Sequence, residues 1–153
     1  MSSLLSVSQK CQYALRALFE LATRYPAADT VTTVSEIAET QNIPPRFLEQ
    51  ILSKLRTGGY IKSRRGNQGG YVMTVSPSKI SVGEIIRYIE GAYESVDCLK
   101  KPENSHCPFR GVCVFKDLWH RAQSAMSDIF DETTFQDLVD KQRIADHEID
   151  YNI

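Results

Sequence analysis

Residues 34–71 read VSEIAETQNIPPRFLEQILSKLRTGGYIKSRRGNQGGY. The stretch holds two helical patterns, a break between them, and then a glycine-rich basic turn. Thr33-x-x-Glu36, just ahead of it, has the form of a capping box, in which each residue's side chain satisfies the other's backbone N–H. It predicts a short helix with Ile37 and Ala38 facing inward, broken at Asn42-Ile43-Pro44-Pro45. The two prolines suit the first turn of a following helix, where a missing N–H costs little. Phe47, Leu48, Ile51, Leu52 and Leu55 recur on one face of that helix, and Gly58-Gly59 ends it. Tyr60 and Ile61 on one side, and Tyr71, Val72 and Val75 on the other, then flank the turn. This predicts a β-hairpin with its tip near Gly66–Gly70.

Working outward, the N-terminal side carries another helix. Val7, Cys11, Ala14, Leu15, Leu18, Leu21, Ala22 and Tyr25 recur at helical spacing, Ser6 with Gln9 resembles a cap, and Pro26 ends the pattern. On the C-terminal side, Ser81-x-x-Glu84 opens a helix with Val82, Ile85, Ile86 and Ile89 inward and Gly91 at its close. Val114, Phe115, Leu118, Trp119, Ala122, Ala125, Met126 and Ile129 mark a long amphipathic helix. A last helix runs from Thr134 with Phe135, Leu138 and Val139. Helix, short helix, turn, helix and hairpin, in that order, predict a winged helix-turn-helix. The fold class is mainly α with a small β-hairpin. Residues 1–80 form the DNA-binding domain, and residues 81–153 hold a linker helix, a cysteine loop and dimerisation helices.

A net charge of −1 conceals a strong asymmetry. From Pro44 to Lys79 there are seven basic residues against Glu49 alone; from Asp128 to Asp150 there are eight acidic residues against Lys141 and Arg143. The basic segment can meet phosphate while the acidic one faces solvent or protein. In a helix-turn-helix the second of the paired helices enters the major groove with its polar face. Here that face offers Arg46, Glu49, Gln50, Ser53 and Lys54. Arg, Glu and Gln can read base edges, while Lys54 and Arg56, further along, suit phosphate. Arg64 and Arg65 lie beside glycines that permit close approach to a groove. A solvated helix face would account for any one of these charges, but their motif order favours double-stranded DNA as the partner.

QYALRALFELA, the 34–71 stretch and ISVGEIIRYIEG together closely resemble the Rrf-type winged-helix transcription regulators, along nearly the whole chain. The block LEQILSKLR…RGNQGGY is the most specific part. The resemblance implies a homodimer with crossed C-terminal helices. It also implies DNA-reading positions at Glu49 and Arg65. The usual wing carries a proline and a third glycine where this chain has Asn67 and Gln68, which alters local flexibility.

Three of the four cysteines, Cys98, Cys107 and Cys113, stand as C-x8-C-x5-C in one polar loop. No secretory signal is visible at the N-terminus, so a reducing cytoplasm is expected, where clustered thiols serve metal or redox chemistry more than disulfides. Thiolates favour zinc or iron–sulfur clusters, but both want about four ligands, and this loop supplies three. The residues alone leave open a cluster, a zinc site or plain thiols. The resemblance implies an iron–sulfur cluster, [2Fe–2S] or [4Fe–4S], on these three cysteines. Relatives draw a fourth ligand from a histidine three residues after the last cysteine, here Lys116, or from an acid on the partner's first helix, here Gln12. Both are poor ligands. Cys11, beside Gln12, and His106, inside the loop, are the leading candidates, with His120, Asp97, Asp117 or an exogenous ligand behind them.

No apolar run approaches the roughly 20 residues of a membrane span. No nucleophile triad, paired-carboxylate cleft or phosphate loop stands out, so neither an enzyme nor a small-molecule substrate is expected. The reading is a homodimeric transcription regulator whose cluster state controls DNA binding. The alternative is a cluster-less winged-helix regulator, or a protein-interaction module with a zinc or thiol site.

Overall fold

A computed structural model of the chain describes residues 7–26, 31–66, 69–91, 108–109 and 112–150. Within them the order is α1 (Gln9–Thr23), α2 (Val34–Gln41), α3 (Pro45–Thr57), β1 (Ile61–Arg64), β2 (Gly70–Met73), a 3-10 turn (Pro77–Lys79), α4 (Val82–Glu90), α5 (Lys116–Glu132) and α6 (Phe135–Asp150). This is the expected winged helix-turn-helix with added C-terminal helices.

The core is organised around α1, which packs against α2, α3, α4 and α6. Its buried face is built largely from small residues, Cys11, Ala14, Ala17 and Ala22, with Leu18 and Leu21 between them. Small side chains let four helices approach one axis, and the larger residues come from the neighbours: Ile37, Leu48, Ile51, Leu52, Leu55, Ile85, Ile86 and Phe135. Each fully buried Leu or Ile contributes about 1.5–3 kcal/mol of transfer free energy. The N-cap of α1 is Ser8, whose Oγ accepts from the Cys11 N–H at 3.2 Å, rather than the expected Ser6. The periodicity of Val7 with Cys11 hid this, because Val7 packs on the core from outside the helix.

One carboxylate lies within this frame. Glu20 is buried on α1 and accepts from Arg24 Nη2 at 3.1 Å and from Gln41 Nε2 at 2.9 Å. Burial of a charge is tolerable only when it is paired and hydrogen-bonded, and here the pairing ties the end of α2 to α1.

The capping box at the start of α2 is complete: Thr33 Oγ1 accepts from Glu36 N at 3.2 Å, and Glu36 Oε2 accepts from Thr33 N at 2.6 Å. At α4 only half of the expected box forms. Ser81 Oγ accepts from Glu84 N at 3.1 Å, but the Glu84 carboxylate accepts instead from Tyr60 Oη at 2.9 Å.

β1 and β2 pair antiparallel, Ile61 with Met73 through Arg64 with Gly70. Thr32, ahead of α2, adds a single rung: its N–H donates to Tyr71 O at 3.0 Å and its carbonyl accepts from Tyr71 N at 2.9 Å. Gly70 makes this possible, since a Cβ there would lie 2.6 Å from the Thr32 oxygen.

α5 begins at Lys116, two residues later than the apolar pattern from Val114 predicts. It is joined to α4 by Arg87, whose Nη2 and Nη1 donate to the Asp131 carboxylate at 2.7 and 3.1 Å. α6 is capped by Thr134 and Asp137 and inserts Phe135 and Val139 under α1 and the 3-10 turn.

Two outcomes follow from these contacts. Phe135→Ala removes the largest fully buried side chain, and urea unfolding should show a loss of about 3–5 kcal/mol; a loss under about 1 kcal/mol would contradict the placement of α6 in the core. Thr33→Ala should cost about 1 kcal/mol at neutral pH. The Thr33 backbone and hydroxyl hold the Glu36 carboxyl below its usual range. A depressed carboxylate stabilises above its unfolded range and loses that contribution as pH falls. The gap between wild type and Thr33→Ala should therefore narrow in acid, and a gap constant with pH would count against the capping box.

Candidate nucleic-acid interface

α3 is amphipathic by construction. Leu48, Ile51, Leu52 and Leu55 are buried against α1 and α2, which forces the opposite face outward. Arg46, Glu49, Gln50 and Ser53 are all exposed on that face. None of the four has a side-chain ion pair or hydrogen-bond partner among the described residues. Arg46 rests over the Phe47 ring, with its guanidinium 5.8 Å from the centroid. Phe47 itself is a correction to the sequence reading: it is 47% exposed and does not join the buried stripe. It pairs with Tyr13 of α1 at 6.4 Å between centroids. Position 47 lies at the edge of the apolar arc, where periodicity alone does not separate inside from outside.

The wing stands next to this face in the chain. Arg65 is exposed at the end of β1, next to Gly66. Arg64 is half-buried and, with Lys62, Arg24, Tyr25 and Tyr71, lines a cleft of about 290 Å³ between the hairpin and the end of α1. Arg24 is neutralised by Glu20 and Glu36, at 3.1 and 3.5 Å. Lys62, Arg64 and Arg65 have no carboxylate partner among the described residues. A row of unpaired cations beside an exposed polar helix face is suited to a polyanion.

Lys54 behaves differently from the other basic residues of α3. Its Nζ donates to the Ile89 carbonyl at 3.0 Å and sits 5.6 Å from the Tyr88 ring centroid, so it is directed at α4. Arg56 is exposed.

The thiols divide into two kinds. Cys11 is 0% exposed, and burial, with Glu90 second, pushes its thiol up to about 12. That environment suits a small hydrophobe and disfavours the thiolate a metal requires. Cys113 is a free, half-buried thiol in the turn leading to α5. Cys98, Cys107, His106 and Asp97 lie outside the described residues. Among the other fourth-ligand candidates, Asp117 and His120 are exposed on α5, Lys116 is exposed at its start, and Gln12 is exposed on α1. No group of three or more His, Cys, Asp or Glu side chains able to hold a metal occurs among the described residues. No helix among them is long and apolar enough to cross a membrane.

The sequence reads Tyr60 only as a flank of the hairpin and does not single out Tyr88. Both rings pack beneath the end of α3, edge to face at 5.3 Å. Burial and the bond to Glu84 push the Tyr60 phenol up to about 12, so its proton stays available for that bond at neutral pH. The place of Tyr60 directly after the Gly58-Gly59 terminator hints at its part, and nothing local marks Tyr88.

Comparison with known proteins agrees with this geometry. The model of a family described as "Rrf2: Iron-dependent Transcriptional regulator" matches residues 7–141. The regulator CymR of Bacillus subtilis is 35% identical over 134 residues, covering 88% of this chain and 89% of its own. The solved structure of CymR (YrzC), the global cysteine regulator of B. subtilis, superposes with a TM-score of 0.74 at 34% identity, covering 90% of this chain and 98% of the other. T. potens IscR superposes with a TM-score of 0.72 at 31% identity, covering 92% and 90%. The sequence resemblance, the fold and the exposed basic face thus agree: the chain belongs to the Rrf2 family of DNA-binding transcriptional regulators and is not an enzyme.

Proposed function

We propose that this chain is a cytoplasmic homodimer that reads a specific operator and is controlled through its cysteine segment. The observation that carries the DNA reading is the exposed face of α3, which presents Arg46, Glu49, Gln50 and Ser53 and is followed in the chain by the cationic wing. In this reading Glu49 and Gln50 hydrogen-bond base edges, Arg46 contacts a base or phosphate near the start of α3, and Arg64 and Arg65 enter the adjacent groove.

The dimer is supported by α5, none of whose residues is fully buried within one chain. Val114 is 84% and Ile129 63% exposed, and Phe115 and Leu118 join them. A contiguous apolar stripe of this kind marks an interface, and a twofold pairing of two copies places two α3 helices on one side of a duplex.

For control, we assign Cys98, Cys107 and Cys113 as the residues that hold an iron–sulfur cluster, [2Fe–2S] or [4Fe–4S]. The donor set fits: three thiols of a soft-ligand type in one segment, with Cys113 free at the mouth of α5. Cys11 stays in the core, which leaves His106 as the leading fourth-ligand candidate from this chain, ahead of His120, Asp97 and Asp117. The cluster, when bound, supplies a redox- and iron-dependent anchor for the segment joining α4 to α5. A second reading, control by the three thiols without a cluster, is favoured by the likeness to CymR, titled a global cysteine regulator.

Two measurements decide these points. With the duplex that the wild type selects from a randomised pool, Arg65→Ala should lose about 1–3 kcal/mol of affinity at fixed salt while remaining a folded dimer. Unchanged affinity would remove Arg65 from the interface. Anaerobic reconstitution with iron and sulfide should give a brown protein with charge-transfer absorption, lost in each of Cys98→Ala, Cys107→Ala and Cys113→Ala and kept in Cys11→Ala. A colourless wild type whose operator affinity responds to thiol oxidation would establish the second reading instead.

A further inference from the structure

The end of the recognition helix is held by α4 through a set of contacts that charge alone would not reveal. Lys54 Nζ donates to the Ile89 carbonyl at 3.0 Å, in the last turn of α4. Tyr88 returns the contact: its Oη donates to the Lys54 carbonyl at 2.8 Å, and its ring lies beneath the Lys54 ammonium. Gly58, the C-cap of α3, is pressed against the same ring. A Cβ there would lie 2.6 Å from Tyr88 Cζ and 2.8 Å from Tyr60 Cε2. Tyr60 in turn donates to Glu84 on α4. The end of α4 that holds Ile89 is also fixed to α1, since Glu90 accepts from Ser8 N, at the cap of α1, at 2.6 Å.

Each partner is suited to this task. The last carbonyls of an α-helix have no intrahelical donor, and a cation near them also complements the helix dipole. The Ile89 carbonyl is of this kind and receives the Lys54 ammonium; the Lys54 carbonyl, in the last turn of α3, accepts from the Gly58 N–H at 3.0 Å and takes the Tyr88 hydroxyl as a second donor. The arrangement is reciprocal: α3 caps α4 with an ammonium, and α4 caps α3 with a phenol. An ammonium engaged this way, over an aromatic face, is half-withdrawn from solvent and is not presented to a phosphate.

We propose that Lys54 and Tyr88 are positioning residues for DNA reading: they fix the C-terminal turn of α3 on α4 and so set the angle at which Glu49 and Gln50 meet the bases, and Lys54 is not a phosphate contact. The proposal rests on α3 being the reading helix.

Lys54→Met keeps most of the stem and removes the charge; Tyr88→Phe keeps the ring and removes the hydroxyl; Lys54→Arg retains a donor. Hydrogen exchange of the DNA-free protein comes first. Amides of residues 55–59 should exchange faster in Lys54→Met and Tyr88→Phe, while those of α1 stay unchanged. Binding is then measured to the duplex selected by wild type and to a scrambled duplex of the same composition, across salt concentrations. Lys54→Met should lose about tenfold in affinity for the selected duplex. It should lose little for the scrambled one, and the salt slope should match that of wild type. Lys54→Arg should recover part of the loss. Equal losses on both duplexes, with a slope reduced by about one, would show a phosphate contact and overturn the proposal. Unaltered exchange at residues 55–59 would also overturn it. A wild type that selects no duplex would refute α3 as the reading helix, an outcome separate from the exchange result.

Discussion

The burial of α1 is the constraint on which the rest of the molecule depends. Four helices meet its surface, and they can do so because the residues at the contacts are mostly alanine and cysteine. Close approach concentrates dispersion contacts that larger residues would hold apart. The same constraint explains Cys11. Its thiol is fully buried in the core cluster, and that burial pushes it up to about 12.

Once α3 must bury Leu48, Ile51, Leu52 and Leu55, the orientation of everything else on it is settled. The polar residues between those positions have nowhere to go but outward. The wing is held to the same frame from two sides: β1 follows directly from the end of α3, and Thr32 pairs with Tyr71 just before α2 begins. The helix-turn-helix and the wing are therefore tied into one body. α4 lies between this body and α5, tied to the first by Lys54, Tyr60 and Tyr88 and to the second by the Arg87–Asp131 pair. It also leads, in the sequence, into the segment that carries Cys98 and Cys107. A shift at the end of α4 would thus be felt at α3 and α5 together.

Much of this was legible in the residues because local chemistry and tertiary packing agree. Thr33 with Glu36, Pro45, Gly58, and the basic turn before Gly70 each specify one local structure, and the fold uses each as written. Legibility failed where one residue had two physical options. Ser6 and Ser8 both precede a helical pattern, and only the backbone decides which caps. Glu84 can reach back to its own cap or out to Tyr60, and the half-buried phenol wins. Phe47 stands at the edge of the apolar arc. Lys54 reads as a surface cation because nothing local indicates a carbonyl 35 positions away. Nothing local marks Glu20 as buried either, its partner Gln41 being 21 positions distant. The exposed polar residues of α3 were readable as a group because they are the complement of a strong apolar stripe.

The central claim is that two copies of α3 and its wing read one duplex from one side. Hydroxyl-radical footprinting of the wild type on the duplex it selects tests this most directly. The account predicts protected patches repeated about one helical turn, roughly 34 Å, apart on one face of the duplex, related by a twofold axis, with wing protection in the flanking grooves. A single unrepeated patch, or uniform protection without phase, would contradict it.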